Sequence, residues 1–254
     1  MKVVDSGVTA VAAGNYHSLF IKSDGSLWAM GYNWEGQLGD GTHYNTRISP
    51  VQVVASGVTA VAAGERHSLF LKSNGSLWAM GYNDTGQLGD GTTSRRSSPV
   101  QIVASGVTAI AAGGNHSLFI KSDGSLWAMG YNNNGQLGNG NTTQQPTPVK
   151  VVDGGVQAVA GGNESSWYVA QDGALWKMGS GAGNVPSRYF GPPRITTQPG
   201  SRTLAPGNGL VFSVVADGGG LSYQWHKDGT AIGSATSASY TISSASIASA
   251  GVYT

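Results

Sequence analysis

Gly7-Val-Thr-Ala-Val-Ala-Ala-Gly14, then His17-Ser-Leu-Phe-Ile-Lys-Ser-Asp-Gly-Ser-Leu-Trp28-Ala-Met-Gly31, then Asn33 through Gly36-Gln37-Leu38-Gly39: this stretch decides the fold, because the chain repeats it from Gly57 and from Gly106. A worn fourth copy starts at Gly155. The tryptophans Trp28, Trp78, Trp127 and Trp176 set the period, in steps of 50, 49 and 49 residues. A unit of this length is one supersecondary element that cannot bury its own apolar face, so the copies must pack on one another.

Within a copy, Val8 to Gly14 is β-branched and small, bounded by glycines. Ser18 to Lys22 and Ser26 to Met30 flank Asp24-Gly25, and Asp-Gly between apolar runs signals a hairpin. A fourth short strand is expected at Pro50 to Val54. Leu27 and Ala29 fall on one sheet face, Trp28 and Met30 on the other, and two apolar faces are what stacked sheets require. No segment keeps a helical period. The expected class is all-β: about four propeller blades, near residues 7–56, 57–105, 106–154 and 155–188.

Ala-Ala-Gly-x-x-His-Ser-Leu, Asp-Gly-Ser-Leu-Trp-Ala-Met-Gly and Asn-x-x-Gly-Gln-Leu-Gly together resemble the repeat of the regulator of chromosome condensation family. A bacterial beta-lactamase inhibitor protein shares a shorter form of it. The resemblance covers residues 2 to about 185 and implies a β-propeller, usually of seven blades. It implies no single activity, since relatives include a nucleotide-exchange factor, enzyme inhibitors and adhesion-type modules. Lys2 to Gly7 aligns with Lys150 to Gly155, so the chain is expected to start inside a repeat of a longer propeller. A ring completed by two chains through their open blade edges is the rival expectation.

Beyond a short linker at 189–193 the composition shifts. Arg194 to Pro199, Leu210 to Val215, Ser222 to Trp225, Tyr240 to Ile242 and Ala250 to Tyr253 resemble a bacterial immunoglobulin-like domain over 194–254, truncated before strand G. The resemblance makes Trp225 the core tryptophan of strand C and Tyr253 the tyrosine of the strand F corner. Val214 stands where such domains place a disulfide cysteine, and the chain has no cysteine at all.

Composition narrows the function classes. The 254 residues carry 40 glycines, a charged fraction of 11% and a net charge of +1, which gives no footprint for nucleic acid. No apolar run spans a bilayer, so membrane insertion is not expected. With no cysteine, no Gly-x-Ser-x-Gly elbow and no acidic pair at a repeated position, catalysis is not expected, and no cofactor or metal is implied.

His17, His67 and His116, one per copy, suit either a metal ring around a central channel or a bridge between blades. Ser165 replaces the histidine in the fourth copy, which favours the structural role. Asp24-Gly25 and its counterparts lack the alternating acids of a calcium loop, so turn chemistry explains them. Trp28, Trp78, Trp127 and Trp176 read as wedges between blades.

Binding candidates come from positions where the copies disagree: Tyr16, Trp34, Glu35, His43, Tyr44 and Arg47 in the first copy, Glu65, Arg66, Asp84, Arg95 and Arg96 in the second, Asn133 and Asn134 in the third. These are glycine-flanked loop positions, and their aromatics and arginines have hot-spot composition, although exposed loops also drift neutrally. The expected function is a non-enzymatic scaffold of a large bacterial surface or secreted protein, binding another protein or a glycan. An inhibitor-like propeller and a carbohydrate-binding module are the alternatives, with nucleotide exchange last.

Overall fold

The computed structural model describes residues 3, 4, 6–218 and 221–254. Met1, Lys2 and Asp5, part of the segment aligned with Lys150 to Gly155, lie outside them. The chain divides into two compact units, 1–188 and 189–254.

The first unit holds four antiparallel four-stranded sheets, each in sequential order. The first blade is β1 (Val8–Ala13), β2 (His17–Lys22), β3 (Leu27–Tyr32) and β4 (Thr46–Val54). The second is β5 (Val58–Ala63), β6 (His67–Lys72), β7 (Leu77–Gly81) and β8 (Arg96–Val103). The third is β9 (Val107–Ala112), β10 (His116–Lys121), β11 (Leu126–Gly130) and β12 (Gln145–Val152). The fourth is β13 (Val156–Gly161), β14 (Ser165–Ala170), β15 (Leu175–Gly179) and β16 (Gly183–Phe190). Phe190 therefore ends a strand, where the sequence suggested a linker from 189.

Local chemistry explains these elements. Between β2 and β3, Gly25 N donates to Lys22 O (2.8 Å) and Lys22 N to Ser26 O (3.0 Å), a three-residue hairpin loop closed by Gly25 at φ 75°. Asp24 Oδ1 accepts from Ser26 N and Ser26 Oγ, and Ser26 Oγ accepts from Trp28 Nε1 at 2.9 Å. The Ser26 hydroxyl bond, followed by its backbone bond, holds the Asp24 carboxyl below the usual aspartate range. The fourth strand is longer than its apolar run. Ala29 pairs with Val51 and Gly31 with Arg47, so Ile48, Ser49 and Pro50 oppose Met30 alone in a bulge that accommodates the proline.

One design recurs at all three blade interfaces. Leu19, Ile21, Leu27, Ala29 and Leu38 form the forward face of the first blade and pack on Val58, Phe70 and Met80, the rear face of the second. Leu69, Leu71, Leu77, Ala79 and Leu88 meet Val107, Phe119 and Met129 in the same way. The third blade then meets Val156, Tyr168 and Met178. Trp78, Trp127 and Trp176 sit at the margins of these interfaces, half-buried. Each stacks nearly parallel on the aromatic ring across the strand pair, and Lys72 and Lys121 lie over two of the indoles. The fully buried wedges are instead Phe70 and Phe119. Trp28 has no blade before it among the described residues.

A polar clasp fastens each interface. His17 Nε2 lies 2.8 Å from Ser68 Oγ, which donates to Gln37 O at 2.7 Å. The chain therefore passes from the first blade to the second and back. His67, Ser117 and Gln87 repeat it, as do His116, Ser166 and Gln136. Because the serine proton is committed to the carbonyl, the serine oxygen accepts, and the histidine carries its proton on Nε2. These histidines are bridges. Burial holds His17 and His116 down to about 4, and burial with the neighbouring histidines holds His67 down to about 3, so all three are neutral near pH 7.

The second unit forms two-stranded pairs: β17 (Arg194–Thr197) with β19 (Val215–Asp217), β18 (Leu210–Ser213) with β22 (Ser239–Ile242), and β20 (His226–Lys227) with β21 (Thr230–Ala231). Ser222 to Trp225, expected as a strand, is irregular, and pairing begins only at His226. Trp225 is buried, with Phe212 and Tyr240 in ring contact, and its Nε1 donates to Ser237 O. Tyr253 Oη donates to Ser249 O at 2.8 Å, four residues upstream.

Candidate functional site

The long loop between the third and fourth strands of a blade is built around one buried asparagine. Asn33 Nδ2 donates to Asp40 Oδ1, Thr42 O and Asn45 Oδ1, while its Oδ1 accepts from Leu38 N. Leu38 is thereby pressed into the interface with the second blade. Asn83 and Asn132 do the same for their loops. Arg47 Nε donates to Asp40 Oδ2 at 2.7 Å, and Arg96 Nε to Asp90 Oδ2 at 2.7 Å. These two arginines, grouped by sequence with the binding candidates, brace their own loops. Burial works against the charge of Asp40 and Asp90. The threonine hydroxyls of Thr42 and Thr92 and the paired arginines overcome it and leave both carboxyls below the usual range.

On this scaffold the variable positions of the first two blades meet. Tyr16, Trp34 and Tyr44 are 59, 49 and 62% exposed. Tyr32 links them: its ring centroid is 5.8 Å from Tyr16 and 6.0 Å from Trp34, parallel to the latter within 6°. Tyr44 meets Trp34 edge-on at 5.9 Å and His43 at 4.4 Å. Tyr44 adopts φ 58°, a left-handed conformation that costs a bulky residue strain and turns this loop back over Trp34.

Beside the rings lies a charge network that crosses the blade boundary. Glu35 is almost fully enclosed, with Arg95 Nη1 2.5 Å from its Oε2 and Arg66 Nη1 3.7 Å from its Oε1. The Arg95 contact is an ion pair rather than a well-angled hydrogen bond. Arg95 also grips Asp84 through Nε and Nη2 at 3.2 and 3.1 Å and stands 5.2 Å from the Tyr82 ring. The Asp84 bond is the chief reason its guanidinium pKa is raised. Arg66 reaches Glu65 at 3.5 Å, and Asn115 of the third blade donates to Glu65 Oε2. The buried Glu35 carboxylate is compensated by the close Arg95 ion pair, with Arg66 at longer range. Trp34, Glu35, His43, Tyr44, Arg95 and Ser97 enclose a cavity of about 170 Å³.

Nine of the sequence candidates thus form one continuous rim: Tyr16, Trp34, Glu35, His43, Tyr44, Glu65, Arg66, Asp84 and Arg95. Asn133 and Asn134 are exposed on the third blade, outside the contacts of that rim. Asn115, at the variable position that Tyr16 and Arg66 occupy in the other copies, also belongs to it, as do Tyr32 and Tyr82, which were missed. Tyr32 and Tyr82 belong to the repeated Tyr-Asn pair, so variation between copies could not flag them. The rim can bury flat rings against a partner and offer it the guanidiniums of Arg66 and Arg95. Among the described residues, no group of three or more His, Cys, Asp or Glu is placed to hold a metal ion.

Four sheets meeting face to face in sequential order, with this clasp and loop hub, define a row of propeller-type blades. The chain matches the family described as Regulator of chromosome condensation (RCC1) repeat over residues 24–71, 74–120 and 123–169. A second description of the same repeat matches 8–37, 58–87 and 107–136. The chain belongs to this family.

Among curated proteins, an X-linked retinitis pigmentosa GTPase regulator homolog of Caenorhabditis elegans is 45% identical over 47 residues, 18% of this chain and 3% of that protein. Among solved structures, that of Kap60 bound to yeast RCC1 (Prp20) gives a TM-score of 0.66 at 24% identity, covering 74% of this chain and 50% of the other. Prp20p of Saccharomyces cerevisiae, in a structure described with its binding properties to Gsp1p and histones, gives 0.64 at 25%, covering 71% and 50%. Human WBSCR16 gives 0.64 at 24%, covering 82% and 59%. The chain spans half to three-fifths of the length of these structures.

Proposed function

We propose that the rim shared by the first two blades is a protein-binding surface, and that the chain works as a non-enzymatic binding scaffold. The observation that carries this reading is the continuity of three exposed aromatic side chains with Arg95, held by Glu35 and Asp84, and with Arg66 beside it. Aromatics and arginines dominate binding energetics when they are rigid beforehand, because little conformational entropy is lost on association. Prp20p, with the same blade architecture, is described by its binding to Gsp1p and histones, which supports a protein as the partner class. A glycan is the second reading, favoured by the parallel rings of Tyr32 and Trp34, which offer a flat aromatic strip.

We also read the second unit as an immunoglobulin-like domain. The Tyr253 bond to Ser249 O and the burial of Trp225 beneath Phe212 and Tyr240 support that assignment. Display at a bacterial surface remains part of the proposal.

The test immobilises the wild-type chain and a Trp34→Ala, Tyr44→Ala double variant side by side. Both are exposed to total protein of the source organism and to an array of immobilised glycans. A protein retained by the wild type and lost by the variant, at equal thermal midpoints, is the expected result. A glycan behaving so would establish the second reading, and equal retention by both chains would refute the site.

A further inference from the structure

We infer that the cavity between Trp34 and Tyr44 receives a lysine side chain of the partner, its ammonium group set against the Glu35 carboxylate. This rests on the protein-binding reading proposed above and names what that protein presents. Trp34, Glu35, His43, Tyr44, Arg95 and Ser97 enclose about 170 Å³. At ~30 Å³ for each water-sized group, that space takes about five or six non-hydrogen atoms. The four-carbon stem and nitrogen of a lysine fill it, whereas a sugar ring with its hydroxyls is too large.

The walls select a cation. Trp34 and Tyr44 line the cavity at 89° to one another, with ring centroids 5.9 Å apart. Ring faces that meet at right angles turn the negative sides of two quadrupoles into one corner, which suits a compact positive charge; parallel faces would suit a flat ligand. Glu35 lines the same cavity with a side chain only 9% exposed. Its Oε2 is taken by Arg95, while Oε1 has Arg66 at 3.7 Å, beyond hydrogen-bond reach. One carboxylate oxygen matches an ammonium group, whereas the fork of a guanidinium would need both. The surrounding charges also favour a further cation. Arg95 is shared between Glu35 and Asp84, and Arg66 between Glu35 and Glu65, so three carboxylates share two guanidiniums.

Folding does not account for the carboxylate. The second copy has Thr85 at this position, its hydroxyl donating to Gln87 Oε1 at 2.8 Å, and the third has Asn134. Enclosing a glutamate there carries a desolvation cost that a threonine avoids. The first loop is also one residue longer between its hub asparagine and its bracing arginine, Asn33 to Arg47 against Asn83 to Arg96. The additional residue falls within His43-Tyr44-Asn45-Thr46, where Tyr44 takes the left-handed turn that brings its ring to Trp34. The acidic group and the aromatic walls of the cavity are thus both particular to the first copy.

The experiment titrates n-butylammonium chloride into the isotope-labelled full chain and follows the indole N–H resonance of Trp34, assigned by its absence from Trp34→Phe. A saturable shift in the millimolar range is expected, with butanol and butyrate giving none. Glu35→Gln should weaken binding about tenfold or more, because it removes the charge from the acceptor. Glu35→Thr, which installs the residue the second copy folds with, should do the same, its thermal midpoint showing that the unit is intact. Arg66→Ala, which removes a competing cation from Oε1, should tighten binding. The blocked peptide acetyl-Gly-Lys-Gly-amide should bind at least as well as butylammonium, and its arginine counterpart more weakly. Equal binding of butanol, unchanged binding in both Glu35 variants, or a preference for the arginine peptide would overturn the inference. Binding of butylammonium but not of the lysine peptide would make the occupant a free amine and overturn it as well. Retention by the wild type and the Trp34→Ala, Tyr44→Ala variant separates the two readings. A protein retained through the rim without butylammonium binding would overturn the lysine assignment and leave the binding surface standing. Butylammonium binding with no protein retained would refute the surface and, with it, the partner as the source of the lysine.

Discussion

Acid should weaken the first unit as the pH falls far enough to protonate its three clasp histidines. His17, His67 and His116 each spend Nε2–H on a serine of the next blade, and their Nδ1 atoms are buried without a hydrogen-bond partner. A second proton would put an unpaired charge and a donor with no acceptor into the blade interface. Their folded pKa values, about 4 for His17 and His116 and about 3 for His67, lie below the ordinary 6.5. The folded state therefore binds fewer protons than the unfolded chain between these limits. Stability is complete above pH 6.5 and is lost as the pH falls towards 4. At ~1.4 kcal/mol per tenfold change in proton affinity, each clasp forfeits ~3 kcal/mol, and the three together on the order of 10 kcal/mol, comparable to the whole stability of a domain. The shifted carboxyls Asp40 and Asp90 titrate below that window, since both are held under the usual aspartate value. Circular dichroism melts from pH 7.5 to 4.5 should show the midpoint falling by ten degrees or more, given ~2–4 °C per kcal/mol for a unit of this size. His67→Ser, which installs the fourth copy's own residue, should lower the midpoint at pH 7.5 and flatten the pH dependence by about a third. A midpoint that is level from pH 7.5 to 4.5 would refute the neutral buried clasp.

Asn83→Ala should cost about 2–4 kcal/mol in denaturant unfolding, because it strips partners from Asp90, Thr92 O, Ser94 O and Leu88 N at once. Phe70→Ala should cost about 3–5 kcal/mol and Trp78→Ala visibly less, since the phenyl ring is fully buried and the indole half-exposed; the reverse order would contradict the interface description. Gly89→Ala should destabilise by about 1–3 kcal/mol, as Gly89 sits at φ 79° and an added Cβ would lie 2.5 Å from Met129 Sδ. Trp34→Ala and Tyr44→Ala should each stay within about 0.5 kcal/mol of wild type in denaturant unfolding, since both rings are largely exposed.

The blades were legible in the sequence because packing between copies imposes one set of residues on every interface. Val, Phe, Met, Leu and Ala recur in phase, and that recurrence needs no coordinates to be seen. Hairpin loops were legible for a similar reason, since Asp24-Gly25 encodes its own turn. The tryptophans were overvalued: an indole that donates to Ser26, Ser76 or Ser125 lies at the margin with a lysine above it, not in the centre. Variation between copies found most of the rim but could not sort it. Arg47 and Arg95 look alike in sequence, yet one braces its own loop through Asp40 and the other crosses a blade boundary to Glu35. Conformation decides that difference: the asparagine hub recurs in the first three copies, whereas the left-handed turn at Tyr44 belongs to the first loop and has no counterpart in the repeat. Residues common to every copy were invisible to a comparison of differences, which is why Tyr32 and Tyr82 were passed over.

The central claim places binding on the rim of the first two blades rather than on exposed loops in general. Three chains, wild type, Trp34→Ala with Tyr44→Ala, and Asn133→Ala with Asn134→Ala, compared for retention of the same proteins and glycans, test it directly. The second pair occupies the Trp34 and Glu35 positions on the third blade, exposed but outside the aromatic and arginine network. Loss of retention in the first variant alone is the predicted result. Equal loss in both variants, or loss only in the asparagine variant, would contradict the account.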